Sequence, residues 1–149
     1  MIISPETREA IENEFEEWKS KQYASKNLEE RKKLDQFYTT PQLTIQMIEK
    51  FEDLRGTIVD PTCGCGGLLA GCIIAGADPN KCYGIELDPQ ILEVCRERLS
   101  RLGVSKNNLH LGDALNSDCY DHFDNNYEYK DGKVLINNKQ PFKFGRIRI

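Results

Sequence analysis

The sequence predicts an α/β fold in which a short parallel sheet carries helices between its strands. Two observations lead to this prediction. From Gly56 onwards, short apolar runs alternate with helical patterns, which is typical of parallel strands joined by helical crossovers. A glycine-rich segment, residues 59–67, joins the first predicted strand to the next helix. The charged sequence before Gly56 predicts helices, and the sequence after Asp121 predicts a β-hairpin.

The chain begins with a predicted helix. Ser4 can cap its first turn through the side-chain hydroxyl, and Pro5 is tolerated there because its missing N–H is not needed. Ile11, Phe15 and Trp18 then form one apolar stripe at helical spacing. We expect this stripe to pack on the protein's own core, with docking on a partner as the alternative.

Two further helical stretches follow. Residues 25–33 are charged and predict a second helix. Residues 35–41 interrupt the helical pattern, because the residue before Pro41 resists the helical conformation. Helix then resumes with Ile45 and Ile48 facing inward.

The next part of the chain predicts three strands and two helices in alternation. The second helix has the clearest limits, since Asp88 can cap it, Pro89 suits its first turn and Gly103 can end it. Parallel strands place their carboxyl ends at one edge of the sheet, where open α/β sheets bind ligands. The predicted strands are residues 57–59, 82–85 and 109–111, and the predicted helices are residues 68–75 and 89–102.

The C-terminal part changes character. Residues 127–136 predict a hairpin, because Asp131-Gly132 is a favoured turn and lies between β-prone arms. The chain has 149 residues, the length of one domain. We therefore expect a helical segment over residues 1–34, an α/β core over residues 35–121 and a hairpin tail over residues 122–149 that completes the same domain.

Composition indicates a cytoplasmic protein without a membrane partner. The chain has 39% apolar and 30% charged residues, as soluble globular proteins do, and no apolar run is long enough to span a membrane. The first residues lack the basic start and apolar core of a signal peptide.

The six cysteines are expected to be reduced, because the cytoplasm keeps thiols free, and to serve as small core residues. A zinc site would combine Cys63 and Cys65 with His110 or His122. That spacing lacks the second close pair typical of structural zinc sites, so we predict no metal. The cysteines are Cys63, Cys65, Cys72, Cys82, Cys95 and Cys119.

The net charge of −4 argues against binding nucleic acid through overall electrostatics, since phosphate contacts need clustered lysines and arginines. Two local clusters remain as candidates. One is residues 31–33, and the other is the tail with Lys139, Lys143, Arg146 and Arg148. A solvated surface explains each cluster alone equally simply.

Three successive strand ends carry candidate ligand-binding groups. Asp60 stands at the end of the first strand, and the loop after it contains Gly64, Gly66 and Gly67, whose missing side chains would let a ligand approach the backbone. Glu86 ends the second strand and can accept hydrogen bonds from a ribose diol. Asp113 follows the third strand and can accept a hydrogen bond from an adenine amine. A turn or capping role would explain each acidic residue singly.

This constellation resembles the class I S-adenosylmethionine-dependent methyltransferases. Residues 60–69, Asp-Pro-Thr-Cys-Gly-Cys-Gly-Gly-Leu-Leu, are similar to the Asp-Pro-x-Cys-Gly-x-Gly-Gly-x-Leu signature of DNA adenine-N6 methyltransferases, including modification subunits of type I restriction systems. Residues 36–41, Gln-Phe-Tyr-Thr-Thr-Pro, are similar to the Gln-Phe-Tyr-Thr-Pro segment that precedes it in that family. In that family the segment helps to close the cofactor pocket. Because this chain has one threonine more, either Thr39 or Thr40 could take the position at the pocket.

The resemblance implies a Rossmann-like core, here with a partial sheet, and S-adenosyl-L-methionine as the cofactor. It also implies DNA as a partner, because the order of the two segments is that of adenine-modifying rather than most cytosine-modifying enzymes. The implied cofactor-binding residues are Phe37, Tyr38, Thr39, Thr40, Pro41, Asp60, Thr62, Gly64, Gly66, Glu86, Leu87, Asp113 and Ala114.

The family's catalytic motif, Asn/Asp-Pro-Pro-Tyr/Phe, is absent from the sequence. The nearest match supplies Asn138, Pro141 and Phe142 at a different spacing, and we take these as the catalytic candidates. A polar turn between two β segments is the alternative. The sequence after Asp113 is shorter than a full methyltransferase sheet needs, so we expect a fragment, half of an assembly or a descendant that has lost catalysis.

Three functions remain open. The principal prediction is a DNA adenine-N6 methyltransferase, completed by a specificity or catalytic partner subunit or by a second copy of the chain. The alternative is a non-catalytic module that binds the cofactor and assembles with or regulates a methyltransferase. The third is a structural relic that docks on a partner through Phe15 and Trp18.

Overall fold

A computed structural model describes residues 1–116 in full and, beyond them, the backbone of three short strands. No helix within residues 1–116 is both long and apolar enough to cross a membrane. The helices are α1 (Pro5–Ala24), α2 (Leu28–Asp35), α3 (Pro41–Glu49), α4 (Gly67–Ile74) and α5 (Pro89–Ser100), with short 3-10 helices at Pro79–Lys81 and Lys106–Asn108. The strands are β1 (Ile58–Asp60), β2 (Cys82–Glu86), β3 (Leu109–Leu111), β4 (Tyr127–Lys130), β5 (Lys133–Ile136) and β6 (Pro141–Phe142).

Strands β1, β2 and β3 form a parallel sheet in that order, which confirms the predicted α/β core. Every residue of β1 and β2 is buried, as expected of strands covered on both faces. Strand β1 ends one residue later than predicted, so Asp60 belongs to the strand itself. The pairing of Asp60 with Gly84 places the carboxyl ends of β1 and β2 side by side.

Strands β4, β5 and β6 form a separate antiparallel sheet. Lys130 pairs with Lys133, which confirms the predicted hairpin. The turn residues Asp131 and Gly132 lie outside the described residues. The assignment of this tail to the same domain as the core stays a prediction.

Helix α1 lies on the core through its predicted apolar stripe. The Ser4 hydroxyl accepts a backbone N–H of the first turn at 3.1 Å, and Pro5 is the first helical residue, as predicted. Ile11, Phe15 and Trp18 are each 5% exposed or less. The protein itself covers the stripe, so the hypothesis that Phe15 and Trp18 dock on a partner is wrong.

Side-chain caps fix where α2 and α5 begin. Helix α2 starts later than predicted because Asn27 and Glu30 form a capping box, in which the Asn27 side chain accepts the N–H of Glu30 at 2.9 Å. Helix α5 starts at Pro89 as predicted, where Asp88 accepts a first-turn N–H at 2.8 Å. The cap of α5 is visible in sequence because proline follows it, whereas no proline marks the start of α2.

Helices α3 and α4 pack closely at Gly71. A Cβ atom at this position would overlap Cγ2 of Thr44 and lie 3.1 Å from Cδ1 of Ile48. Thr44 is 1% exposed, and β-branching restricts its side-chain rotation in a helix. Gly71 therefore sets the spacing between these two helices.

Replacing Gly71 with alanine is expected to lower the free energy of unfolding by about 1–2 kcal/mol, because the overlap outweighs the roughly 1 kcal/mol that alanine gains in a helix. Thr44→Ser removes the overlapping methyl group, so the double variant should recover part of that loss. Urea unfolding of the four proteins in a double-mutant cycle measures the coupling. Additive effects of the two substitutions would contradict this account.

Candidate functional site

The carboxyl ends of β1 and β2 place two buried carboxyl groups at one edge of the sheet. Asp60 is 2% exposed and Glu86 is 8% exposed. One oxygen of Asp60 accepts the backbone N–H of Thr62 at 3.0 Å, and one oxygen of Glu86 accepts that of Asp88 at 2.7 Å. Each side chain is therefore oriented by the chain that follows its own strand.

Burial raises the pKa of Asp60 to about 7. The hydrogen bond from Thr62 opposes this rise, and the negative charge of Glu86 adds to it. Asp60 therefore titrates close to neutral pH. A cation bound near the two carboxyl groups would favour the ionised form of Asp60, so this edge suits a positively charged ligand.

The loop after Asp60 is tied to the sheet before it enters α4. The N–H of Cys63 donates to the Ile85 carbonyl at 2.9 Å, and the N–H of Gly66 donates to the Cys63 carbonyl at 2.8 Å. Gly66 has a φ of +85° and precedes α4, whose first turn has no side-chain cap. The first N–H groups of α4 are thus left for other acceptors, as at helix ends that bind ligands.

The protein's own chain fills the space beside two loop glycines. A Cβ atom at Gly64 would lie 2.6 Å from the carbonyl oxygen of Phe37, and one at Gly67 would lie 3.2 Å from that of Thr39. The N–H of Cys65 also donates to the Phe37 carbonyl at 3.3 Å. The sequence predicts that the loop glycines admit a ligand, whereas the space beside Gly64 is filled by the upstream segment.

The two adjacent threonines of that segment have different positions. The Thr40 hydroxyl accepts the N–H of Leu43 at 3.4 Å and so caps α3, with Pro41 as the first helical residue. Thr39 lies against Gly67, at the start of α4. Thr39 is therefore the threonine at the loop, and Thr40 is a capping residue.

The aromatic residues of the segment face the protein interior. Phe37 and Tyr38 are both partly buried. The Tyr38 ring centroid lies 5.3 Å from that of Phe15 and 6.5 Å from that of Trp18. The ring of Tyr38 thus packs on α1, while Phe37 contacts the loop through its carbonyl group.

Exposed apolar side chains continue the sheet edge beyond Glu86. Leu87 is 69% exposed, and Leu111, which ends β3, is 44% exposed. Asp113 is exposed shortly after β3, and its carboxylate accepts a backbone N–H of the following turn at 3.0 Å. Ala114 beside it is partly buried. Apolar surface and hydrogen-bond acceptors therefore occur together at the ends of β2 and β3.

The catalytic candidates belong to the C-terminal part. Pro141 and Phe142 form β6, which pairs with β5. Asn138 lies outside the described residues, as do the side chains of the other two. A catalytic role for the three residues stays a prediction.

Buried thiols lie beneath the loop. The Sγ atoms of Cys63 and Cys95 are 3.8 Å apart. The hydrogen bond with Cys95, together with burial, raises the pKa of Cys63 well above its usual value, and burial raises that of Cys65 to about 12. The thiols of Cys63 and Cys65 are therefore neutral core groups at neutral pH. The predicted free, buried state is confirmed for Cys63, Cys65, Cys72, Cys82 and Cys95, and Cys119 lies outside the described residues.

The zinc alternative gains no support from the described part of the chain. Within residues 1–116, no group of three His, Cys, Asp or Glu side chains could hold a metal ion. His110 belongs to β3, and His122 lies outside the described residues.

Arg98 is a buried residue that sequence reasoning missed. It follows Ile91 and Cys95 on the inner face of α5, at i+7 and i+3, and is 4% exposed. Its salt-bridge partner Glu14 belongs to the inner side of α1. Arg98 and Glu14 each continue the apolar stripe of their helix, and they have opposite charges. This pattern could have indicated a buried ion pair.

The sequence of this chain is similar to those of known methyltransferases. Residues 10–142 match a family model described as N-6 DNA methylase. The type II methyltransferase M.VspI of Vibrio sp. (strain 343) is 37% identical over 62 residues, which are 41% of this chain and 15% of that protein. The ribosomal protein L11 methyltransferase of Tolumonas auensis is 38% identical over 69 residues, which are 46% of this chain and 23% of that protein.

One solved structure is also similar. An RNA methyltransferase from Salinibacter ruber in complex with S-adenosyl-L-homocysteine aligns over 56% of this chain and 54% of its own, with 23% identity and a TM-score of 0.45. The chain spans less than a quarter of the length of the curated relatives described above.

Proposed function

Because the chain belongs to the N-6 DNA methylase family, we propose that its sheet edge binds S-adenosylmethionine and that it transfers the cofactor's methyl group to N6 of adenine in DNA. The observation that carries the proposal is the pair of buried carboxyl groups, Asp60 and Glu86, beside a glycine loop that opens a helix. S-adenosylmethionine carries positive charge on its sulfonium and ammonium groups, which suits this acidic edge. It also carries a ribose diol, for which a carboxylate is a suitable acceptor.

Each part of the cofactor has a proposed partner. Glu86 accepts hydrogen bonds from the ribose, and Asp113 accepts one from the adenine amine. Leu87 and Ala114 supply apolar surface for the adenine ring. Asp60 and the loop that begins α4 receive the charged methionine part. The other residues proposed for the cofactor site are Phe37, Tyr38, Thr39 and Pro41 of the upstream segment, with Thr40 as the cap of α3 beside them, and Thr62, Gly64 and Gly66 of the loop itself.

Replacement of Glu86 by glutamine is expected to raise the Kd for S-adenosylhomocysteine roughly tenfold to a hundredfold, because a hydrogen bond to a charged group contributes about 1.5–3 kcal/mol. Calorimetric titration measures the change. Glu93→Gln is the matched control, since Glu93 is on the exposed side of α5, with a side chain 65% exposed. Equal Kd values for the two variants would contradict the proposed role of Glu86.

The proposed substrate is an adenine turned out of the DNA duplex. Its N6 amine is a poor nucleophile, so the reaction needs acceptors for the amine and an aromatic face for the base. Asn138 and Phe142 are the proposed sources of these groups, with Pro141 between them. The adenine class rests on family membership and on the position of residues 36–41 before the glycine loop.

A transfer assay tests the reaction. Labelled S-adenosylmethionine is incubated with the chain and either mixed-sequence duplex DNA or a duplex of G·C pairs only. Label is expected in the mixed duplex alone, and Asn138→Ala should abolish transfer without changing the Kd for the cofactor. Label in both duplexes would remove adenine as the substrate class.

The second candidate is a module that binds the cofactor without catalysis. It is favoured by the spacing of Asn138, Pro141 and Phe142, which differs from that of the family's Asn/Asp-Pro-Pro-Tyr/Phe tetrapeptide. Under this proposal the chain acts with a partner subunit or with a second copy of itself. Cofactor binding without methyl transfer, including in the presence of partner subunits, would favour it over the first candidate.

A further inference from the structure

Arg98 joins three parts of the molecule. Its guanidinium donates to both carboxylate oxygens of Glu14 at 2.7 Å and lies 4.2 Å from the ring centroid of Trp18. It also donates from Nη1 to the Cys65 carbonyl at 3.4 Å. Glu14 and Trp18 belong to α1, whereas Cys65 belongs to the glycine loop. The side chain is 3% exposed, so these contacts form in the protein interior.

The geometry of this contact restricts the loop. A buried guanidinium is stable only when paired, and the two-pronged bond to Glu14 fixes its plane as well as its position. With that plane fixed, Nη1 is directed at the Cys65 carbonyl. Nη1 also lies 3.7 Å from where a Cβ atom of Gly67 would be. Arg98 thus contacts the chain at Cys65 and lies close to it at Gly67, on the two sides of Gly66, where the loop turns into α4.

We propose that Arg98 is a positioning residue for cofactor binding, which holds the Cys65 carbonyl, and with it the loop, in the shape that receives S-adenosylmethionine. The inference rests on the proposed function, because it concerns the same loop. Arg98 acts through the loop backbone, and Glu14 acts through Arg98. The N-terminal helix is therefore part of the apparatus that shapes the site.

Trp18 provides an internal reporter of this contact. It is the single tryptophan of the chain, and its ring lies beside the guanidinium. Its indole N–H is buried and has no hydrogen-bond partner among the described residues. Because the same guanidinium contacts the loop and the indole ring, binding of a charged cofactor at the loop is expected to change the surroundings of Trp18 and with them the tryptophan emission of the chain.

The experiment titrates S-adenosylhomocysteine into the full chain and follows both heat and tryptophan fluorescence. Arg98→Lys keeps the charge but lacks the planar fork that reaches Glu14 and Cys65 together. We expect its Kd to rise roughly tenfold and the ligand-induced change in emission to be lost. The control is Arg101→Lys on the same helix, because Arg101 has a side chain 52% exposed and should behave as the unaltered chain does.

The outcomes separate this inference from the function on which it rests. Absence of binding by the unaltered chain overturns the proposed function. Binding by the unaltered chain with an equal Kd for Arg98→Lys overturns only the role of Arg98. Urea unfolding shows whether each variant is folded under the assay conditions. If Arg98→Lys does not fold, Glu14→Gln tests the same contact, and an unchanged Kd for that variant overturns the inference.

Discussion

Replacement of Gly64 by alanine is expected to lower the free energy of unfolding by roughly 3 kcal/mol, through backbone strain and a collision with backbone. Gly64 has a φ of +53°, and a Cβ atom there would lie 2.6 Å from the carbonyl oxygen of Phe37. That oxygen belongs to backbone and accepts the N–H of Cys65, so it moves only with its whole segment. Because the displaced segment borders the proposed site, the Kd for S-adenosylhomocysteine should rise at least tenfold, or about 1.4 kcal/mol.

The matched control is Gly56→Ala, which isolates the backbone strain. Gly56 has a φ of +86°, but a Cβ atom there would meet nothing within 4 Å. The control should lose only about 1 kcal/mol, the cost of a left-handed conformation for alanine. Urea unfolding measures the loss in free energy of unfolding for both variants. The difference between the two losses is the contribution of the collision with the Phe37 carbonyl. Equal losses would show that the upstream segment yields freely and does not constrain the loop.

The order of elements was predictable because its signals are local. Asp88 followed by Pro89 marks the start of α5, and the apolar run at residues 109–111 coincides with β3. The predicted strand covers residues 57–59 with Asp60 at its end, whereas β1 itself includes Asp60. A buried aspartate at a strand end contradicts ordinary polarity patterns, and only the pairing with Gly84 shows that the strand includes it.

The position of Asp60 and Glu86 at one edge of the sheet was also predictable, because each acidic residue comes directly after the apolar run that marks its strand. It did not predict the contacts that shape the loop. Glu14 and Arg98 are 84 residues apart, and each occurs among charged neighbours on its own helix. The contact of Gly64 with Phe37 likewise depends on how two distant segments fold together. Such long-range contacts follow from packing and leave little trace in local spacing.

Asp60→Asn is expected to stabilise the ligand-free protein at about pH 8, by up to roughly 4 kcal/mol, while weakening cofactor binding. The pKa of Asp60 is raised from 3.8 to about 7, chiefly by burial. Between pH 3.8 and about 7, Asp60 therefore keeps a proton in the folded state that it has lost in the unfolded state. The resulting stability is fully present below pH 3.8 and is lost as the pH rises through about 7. Asparagine stays neutral throughout, and its carbonyl oxygen can still accept the N–H of Thr62.

The stability difference between Asp60→Asn and the unaltered chain should therefore grow from near zero at about pH 4 to its full value near pH 8. Unfolding in urea at several pH values measures this growth. Asp78→Asn is the matched control, because the exposed Asp78 accepts a backbone N–H two residues ahead at 2.9 Å, as Asp60 does. A difference that stays flat with pH would show that burial does not shift the titration of Asp60. If the prediction holds, the ionised carboxylate of Asp60, which is proposed to attract the cationic cofactor, destabilises the ligand-free protein.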